Sequence, residues 1–390
     1  MGGAVHQDLN RAPATAGVEV RPTFAQIDLS ALQHNLAAVQ AHVGSARVLA
    51  VVKADAYGHG AARASAAFVD AGAWGLAVSL VEEGVQLREA GVLAPIVVLG
   101  GVAPGSADVL VHRRLTPVIW SVAQLERLSE AVCRTGARPA RVHVKIDTGM
   151  TRLGVLPGEL APLLDWFARD EGRTVVFEGV MTHLACADDR VDELSSKRQL
   201  GIFEDCLSSI SAAGFSPPLR HACNSAGLVR FPSAHFDMVR PGIALYGSAS
   251  AQDVQLAGLR ESMSMRSSVL AVREVPAGVR VSYGGTVQLG RPSRLAIVPV
   301  GYADGYPRNM SGSAQMLVRG HRCDVVGSIT MDVTMLDVTD LPGVRAGEAV
   351  TMLGTQGLGR IDLHEMAGWS GTISYEVTCG VSKRVPRRYA

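Results

Sequence analysis

The sequence predicts an α/β protein, a (β/α)8 TIM-type barrel followed by a C-terminal all-β domain, and three observations carry that reading. Short apolar runs recur at 48–52, 75–78, 95–99, 116–119, 141–146, 175–182, 219–222 and 237–239. Amphipathic helical stretches lie between them, among them 81–90, 123–134, 159–169 and 193–212. Strands that are continuously apolar and alternate with helices belong to a parallel sheet covered on both faces. Eight such units suggest a closed barrel, with an open doubly wound sheet as the alternative. Near residue 250 the texture changes to valine-rich strands with Pro-Gly and Ala-Gly turns: SVLAVREVPAGVRVSYGG, RLAIVPVGYADGY and VVGSITMDVTMLDV. Turn signals at about ten-residue spacing mark a compact β domain.

In chain order, residues 1–22 read as a flexible tail, 23–250 as the barrel and 251–390 as the β domain. The run 24–29 precedes the first barrel helix and is available as an extra strand of the β domain. Ser30 is placed to cap a helix whose Leu32, Leu36, Val39 and Val43 share one face.

Composition excludes several classes. The 390 residues are too many for one small core, so two domains are expected. Apolar residues make up 47% of the chain, yet no run reaches the roughly 18 that a membrane-spanning helix needs. A formal net charge of +1 gives no electrostatic case for nucleic acid or a membrane surface. The first twenty residues lack the apolar core of a secretory leader, so a cytoplasmic location is expected. Cys133, Cys186, Cys206, Cys223, Cys323 and Cys379 form no CxxC pair and have no histidines at metal spacing. They read as free thiols of a reducing compartment, and no metal site is expected.

The chemistry gathers where a barrel keeps it, at the C-terminal ends of the strands. The stretch 49–60, LAVVKADAYGHG, sets Lys53 at the tip of an apolar strand with Tyr57 just beyond. A lysine there either reaches solvent or is held for chemistry, because burying its charge unpaired is costly. The fifth strand ends in KIDTGMTR, with Lys145, Asp147 and Arg152; the sixth in MTHLACADD, with His183. The seventh ends in HACNSAG, with Asn224 and Ser225, and the eighth in MVRPGIALYG, with Arg240. A lone histidine is usually a core residue and a lone arginine an ion-pair partner; five strand ends of this kind point to one active site. A neutral strand-end lysine is what a Schiff base to an aldehyde cofactor requires. Asn-Ser-Ala-Gly and Pro-Gly-Ile supply donors where barrels commonly hold phosphate. No Walker loop and no strand-linked GxGxxG is present.

These segments, with VHVKIDTGMTRLG, THLACAD, CNSAG, VSYGGT, GYADGY, ITMDVTMLDV and ISYEVTCG, resemble the alanine racemases, fold-type III enzymes dependent on pyridoxal 5'-phosphate. The resemblance runs from about residue 24 to 388, nearly the whole chain. The lysine motif is shared with other fold-type III proteins, whereas VSYGGT and MDVTMLDV are more specific to amino-acid racemases.

The resemblance implies interconversion of L- and D-alanine by two bases on opposite faces of the substrate, supplying D-alanine for peptidoglycan. Lys53 would carry the cofactor and serve as one base, and Tyr283 as the other. A phenol is a weak base unless its neighbours favour the phenolate, and His183 and Arg240 match the family's hydrogen-bond chain to it. Arg240 also matches the residue facing the pyridine nitrogen. Arg152 matches the arginine near the cofactor's phenolic oxygen and the substrate carboxylate. Lys145 matches a lysine that many relatives carry as a carbamate; an ordinary lysine stem is the alternative. Tyr57, Ser225, Gly242, Ile243 and Tyr375 match the phosphate contacts, and Asn224 either supports that loop or caps the next helix. Met331, Asp332 and Tyr302 match substrate-side positions, while Thr330 stands where some relatives carry cysteine.

The resemblance further implies a homodimer in which Tyr283 and Met331 act on the partner's barrel. Other readings are a racemase of broader range, acting on serine for example, and a barrel-type decarboxylase, whose ring nitrogen generally meets an acid. A single-domain pyridoxal-phosphate carrier barrel would lack the β domain altogether.

Overall fold

The computed structural model describes residues 20–189, 191–249, 251, 254 and 256–390; most of the 1–22 segment expected to be a tail lies outside the described residues. Strand β1 (Phe24–Ile27) leads into a helix over Leu29–Val43. The helix is capped by Asp28 rather than Ser30. The Asp28 carboxylate accepts the Ala31 N–H at 2.9 Å and also the Ser30 hydroxyl at 2.7 Å. The carboxylate satisfies one of the unpaired N–H groups of the first turn. The expected face is buried, with Leu32, Leu36 and Val39 at zero exposure.

Eight strands follow: β2 (Arg47–Val51), β3 (Gly75–Val78), β4 (Ile96–Val98), β5 (Thr116–Ile119), β6 (Ala140–Lys145), β7 (Val175–Met181), β8 (Leu219–His221) and β9 (Met238–Val239). They form one sheet in the order β8-β7-β6-β5-β4-β3-β2-β9, and every paired neighbour is parallel. The Asp237 N–H on the Arg220 carbonyl (3.1 Å) and the Arg240 N–H on the Cys223 carbonyl (2.9 Å) link β9 back toward β8. The sheet is thus a nearly closed barrel, as the continuous apolar strands imply.

The second domain contains β10 (Met263–Ser268), β11 (Ala271–Val275), β12 (Arg280–Val281), β13 (Val287–Gln288), β14 (Ser293–Val298), β15 (Gln315–Val318), β16 (His321–Asp324), β17 (Thr334–Asp337), β18 (Ala349–Gln356), β19 (Gly359–Ile361) and β20 (Arg387–Tyr389). Its main sheet runs β16-β15-β18-β10-β1-β20, with β19 on β18; β11-β14-β17 and β12-β13 are separate. Strand β1 is antiparallel to β10 and parallel to β20, so this strand, which precedes the barrel in sequence, belongs to the C-terminal sheet.

Arg387 staples this sheet to the barrel mouth. Its guanidinium donates to the carbonyls of Gly58 (3.0 Å), Ser382 (2.6 Å), Val385 (2.8 Å) and Val381 (2.6 Å). A charged donor leaving several partly buried carbonyls is expensive, so Arg387→Leu is expected to lower unfolding stability by roughly 2–3 kcal/mol. Chemical denaturation of the two proteins side by side measures it.

Candidate active site

Lys53 leaves the end of β2 into an unusual backbone. Ala54, Asp55, Ala56 and Tyr57 all have φ of 53–54°, a left-handed turn that costs L-residues roughly 1–2 kcal/mol each. The sequence gives no glycine until Gly58, so the surroundings must hold the turn. Glu83 does so from the helix that follows β3, Val81–Glu89: its carboxylate accepts the N–H groups of Ala54 (2.6 Å), Ser79 (2.7 Å) and Leu80 (3.0 Å). Asp55 accepts the Ala61 N–H at 2.6 Å. Gly58 then passes so close to the second domain that a Cβ would collide with the Thr378 carbonyl. The turn returns Tyr57 to the core while Lys53 stays half-buried at the strand end.

Around Lys53 the barrel gathers cations. Lys145 ends β6 and is 6% exposed; Arg240 follows β9 and is 3% exposed. Burial, then the Arg152 charge, pulls Lys53 below the ordinary lysine pKa. Burial, then Arg240 and Arg152, pulls Lys145 down to about 8. Neither lysine has an ion-pair partner among the described residues. Burial and the same cations keep His183, after β7, well below the usual histidine value, so it is neutral. Arg240 donates to His221 Nδ1 (2.9 Å), to the Thr182 (2.7 Å) and Ala222 (3.0 Å) carbonyls, and to His183 Nδ1 (3.3 Å). No carboxylate lies within ion-pair distance of it among the described residues. So many cations with so few anions make a site for an anionic ligand.

A second group sits beside them. Ser225 Oγ accepts the N–H groups of Gly242 (2.9 Å) and Ala244 (3.3 Å), joining the loop after β8 to the loop after β9. A Cβ at Gly242 would collide with the Tyr57 phenol. The Tyr57 ring lies 5.8 Å from that of Tyr375 and 4.8 Å from that of Tyr246. Ile243 is buried in the same turn. Asn224 caps the helix Ser225–Arg230, its side chain accepting the Gly227 N–H at 2.9 Å. Hydroxyls and backbone N–H groups at a helix start can cradle a phosphate.

Tyr283, Tyr302, Met331 and Asp332 stand on the second domain and are exposed. Tyr283 is 71% exposed and lines a separate cavity of about 520 Å³ whose walls, including Arg280, Ser282, Thr330 and Met335, all come from the second domain. Met331 is 51% and Tyr302 41% exposed. The Ser328 hydroxyl bonds the Tyr283 carbonyl (3.1 Å), and the Tyr302 N–H bonds the Thr330 carbonyl (3.0 Å), so these residues share one patch. Asp332 accepts from Arg384 at 2.7 Å. Thr330 closes its own turn, its hydroxyl donating to the Val333 carbonyl at 2.8 Å. Arg152 is exposed, yet close enough for its charge to act on both Lys53 and Lys145.

Sequence reasoning missed Glu83, whose signal is an acid three residues after the strand-end pair Ser79–Leu80. It also missed His143 and His221, which alternation in RVHVKI and the pair RH could have flagged. Glu83→Ala is expected to release the left-handed turn and cut activity about 100-fold, since a misplacement near 1 Å costs about that much. Steady-state kinetics with the cofactor saturating checks it, with Glu83→Gln retaining part of the rate.

Known proteins share this chain's sequence pattern and fold. Residues 27–250 match the family model for the alanine racemase N-terminal domain and 262–389 that for the C-terminal domain. An alanine racemase of Symbiobacterium thermophilum is 45% identical over 374 residues, 95% of this chain and 97% of that protein. The crystal structure of alanine racemase from D-cycloserine-producing Streptomyces lavendulae superposes with a TM-score of 0.91 at 35% identity, covering 95% of this chain and 97% of that one. The Bacillus anthracis alanine racemase with bound L-Ala-P gives 0.88 at 33% identity, covering 95% of each. Matched across both domains and nearly end to end, the chain belongs to the alanine racemase family.

Proposed function

We propose that this chain interconverts L- and D-alanine with pyridoxal 5'-phosphate, using Lys53 and Tyr283 as bases on opposite faces of the substrate. The observation that carries the reading is the buried Arg240, a guanidinium with no carboxylate partner among the described residues, gathered with Lys53 and Lys145 beside the Ser225–Gly242 cradle. The residues present fit the cofactor: the missing Cβ at Gly242 leaves room only for the Tyr57 phenol, and Ser225, Gly242, Ile243 and Tyr375 would hold the phosphate. Asn224 supports them by capping the helix that Ser225 begins. When bound, the cofactor supplies the electron sink that makes the α-proton of alanine removable.

The chain's own groups do the rest. Lys53 would hold the cofactor's aldehyde carbon, and its lowered pKa keeps a share of the amine neutral to exchange that bond and to accept a proton at Nζ. Arg240, charged across the physiological range, would donate toward the ring nitrogen of the bound cofactor and withhold a proton from it. A decarboxylase of this barrel type would set an acid there, so Arg240 favours racemisation. Arg152 would take the substrate carboxylate, and Lys145, buried with a pKa pulled down to about 8, has enough neutral amine to form a carbamate facing Arg152. His183 accepts from Arg240 and would pass that polarity to the Tyr283 phenol.

Tyr283, Met331, Asp332 and Tyr302 are exposed on the second domain, and Tyr283 lines a cavity walled by that domain, which supports a homodimer whose partner subunit completes each barrel. In the same proposal the enzyme works in the cytoplasm and its D-alanine feeds peptidoglycan. No helix among the described residues is long and apolar enough to cross a membrane.

The test uses Tyr283→Ala in deuterated water. Racemisation is expected to fall by roughly 10²–10⁴, the usual worth of a general base. Lys53 still reaches the α-proton of one enantiomer, so D-alanine should exchange its α-proton much faster than L-alanine. Equal loss with both enantiomers, cofactor still bound, would reject the two-base assignment.

A further inference from the structure

Behind Arg240 the barrel interior contains three polar side chains that the proposed reaction does not use. His143 and His221 are wholly buried and Glu178 is 7% exposed. They form a line. His221 Nε2 is 2.8 Å from His143 Nδ1, and His143 Nε2 is 3.5 Å from Glu178 Oε2. Arg141, largely exposed at the barrel floor, donates to Glu178 Oε1 at 2.5 Å.

The sequence builds this line by two local devices. In β6, Arg141, His143 and Lys145 alternate onto one face at successive heights. In β7 the register slips: Val142 pairs with Phe177 but His143 with Gly179, leaving Glu178 as the extra residue of a bulge. A bulge re-aims a side chain, and here the extra residue lies against both His143 and Arg141. Gly179 makes the room, for a Cβ there would sit 2.9 Å from the His143 ring.

Arginine can only donate, so every proton in the line is fixed from that end. His221 Nδ1 must be bare to accept from Arg240. His221 Nε2 then carries the proton and gives it to His143 Nδ1. His143 Nδ1 is therefore bare as well, and His143 holds its proton on Nε2, toward the Glu178 carboxylate. A doubly protonated His143 would force His221 to accept on both nitrogens, which a neutral imidazole cannot do. Burial followed by the Arg240 charge keeps His221 well below the ordinary histidine pKa, in agreement. Burial alone would raise Glu178, but the bonds from His143 and Arg141 hold it below the usual carboxylate range.

We propose that Glu178, His143 and His221 are positioning residues that lock the orientation of Arg240: His221 donates to His143, and His143 turns its own N–H toward the buried Glu178 carboxylate, where the line ends. The inference rests on the proposed function, because Arg240 matters through the ring nitrogen it would face. Magic-angle-spinning NMR of protein labelled with 15N-histidine reads the first half. Both His143 and His221 should show a protonated Nε2 and a bare Nδ1, with and without pyridoxal phosphate; an Nδ1–H tautomer or an imidazolium at either would overturn the line.

His143→Leu and His143→Asn read the second half. The two side chains have the same number of heavy atoms and the same branching, but only asparagine offers an acceptor where Nδ1 stood. His143→Leu should lower kcat roughly tenfold with KM nearly unchanged, the effect of a misaimed catalytic group, and His143→Asn should recover most of it. Equal kcat in both, with only the thermal midpoint lowered, would reduce these residues to packing and overturn the proposal. If His143→Leu does not fold, the wild-type spectra and His143→Asn decide alone. The spectra need no turnover, so a protein with the expected tautomers and no racemase activity would fail the proposed function without touching the line.

Discussion

The structure depends on the seam where the last barrel strand meets the first. Strand β9 pairs with β2 through Arg47↔Met238 and Val48↔Val239, and the Val51 N–H bonds the Pro241 carbonyl at 3.0 Å. Lys53 and Arg240 stand 187 residues apart in the chain yet at the ends of these two neighbouring strands. An open sheet would leave both on separate edges. Closure sets two cations side by side at the C-terminal rim, and the loops that follow them supply Tyr57 and the Gly242 turn. The cofactor cradle is therefore a property of the seam rather than of either strand.

Holding cations together needs compensation, and the fold distributes it over distance. Among the described residues Arg240 has no acid within reach, only carbonyls, His183 and His221. The left-handed turn after Lys53 is anchored from the helix bearing Glu83 and from Arg387 of the last strand, so the second domain braces the barrel mouth from behind. Strained backbone persists only where its surroundings over-determine it, and such places concentrate at functional sites.

Legibility in the sequence followed range. The barrel strands read directly, because parallel strands buried on both faces leave continuous apolar runs, and Lys53, Lys145, His183 and Arg240 were visible as charges ending them. The first helix was legible but its cap was misread: Ser30 and Asp28 are equally good capping types, and only the backbone shows that the carboxylate takes the bond. The left-handed turn was invisible, since ADAY has no glycine to announce it. The bulge at Glu178 was invisible for the same reason, as one extra residue in a strand leaves no mark on composition. Tyr283 was legible by motif, but its exposure on the second domain follows from tertiary placement, which no local pattern carries.

The most direct measurement of the central claim, that the seam builds a cofactor site around Lys53, is to reduce the purified protein with borohydride, digest it and sequence the labelled peptide by mass spectrometry. The expected result is one pyridoxyl-phosphate adduct per chain, on Lys53. An adduct on Lys145 or on another lysine, or none with the cofactor supplied, would contradict it.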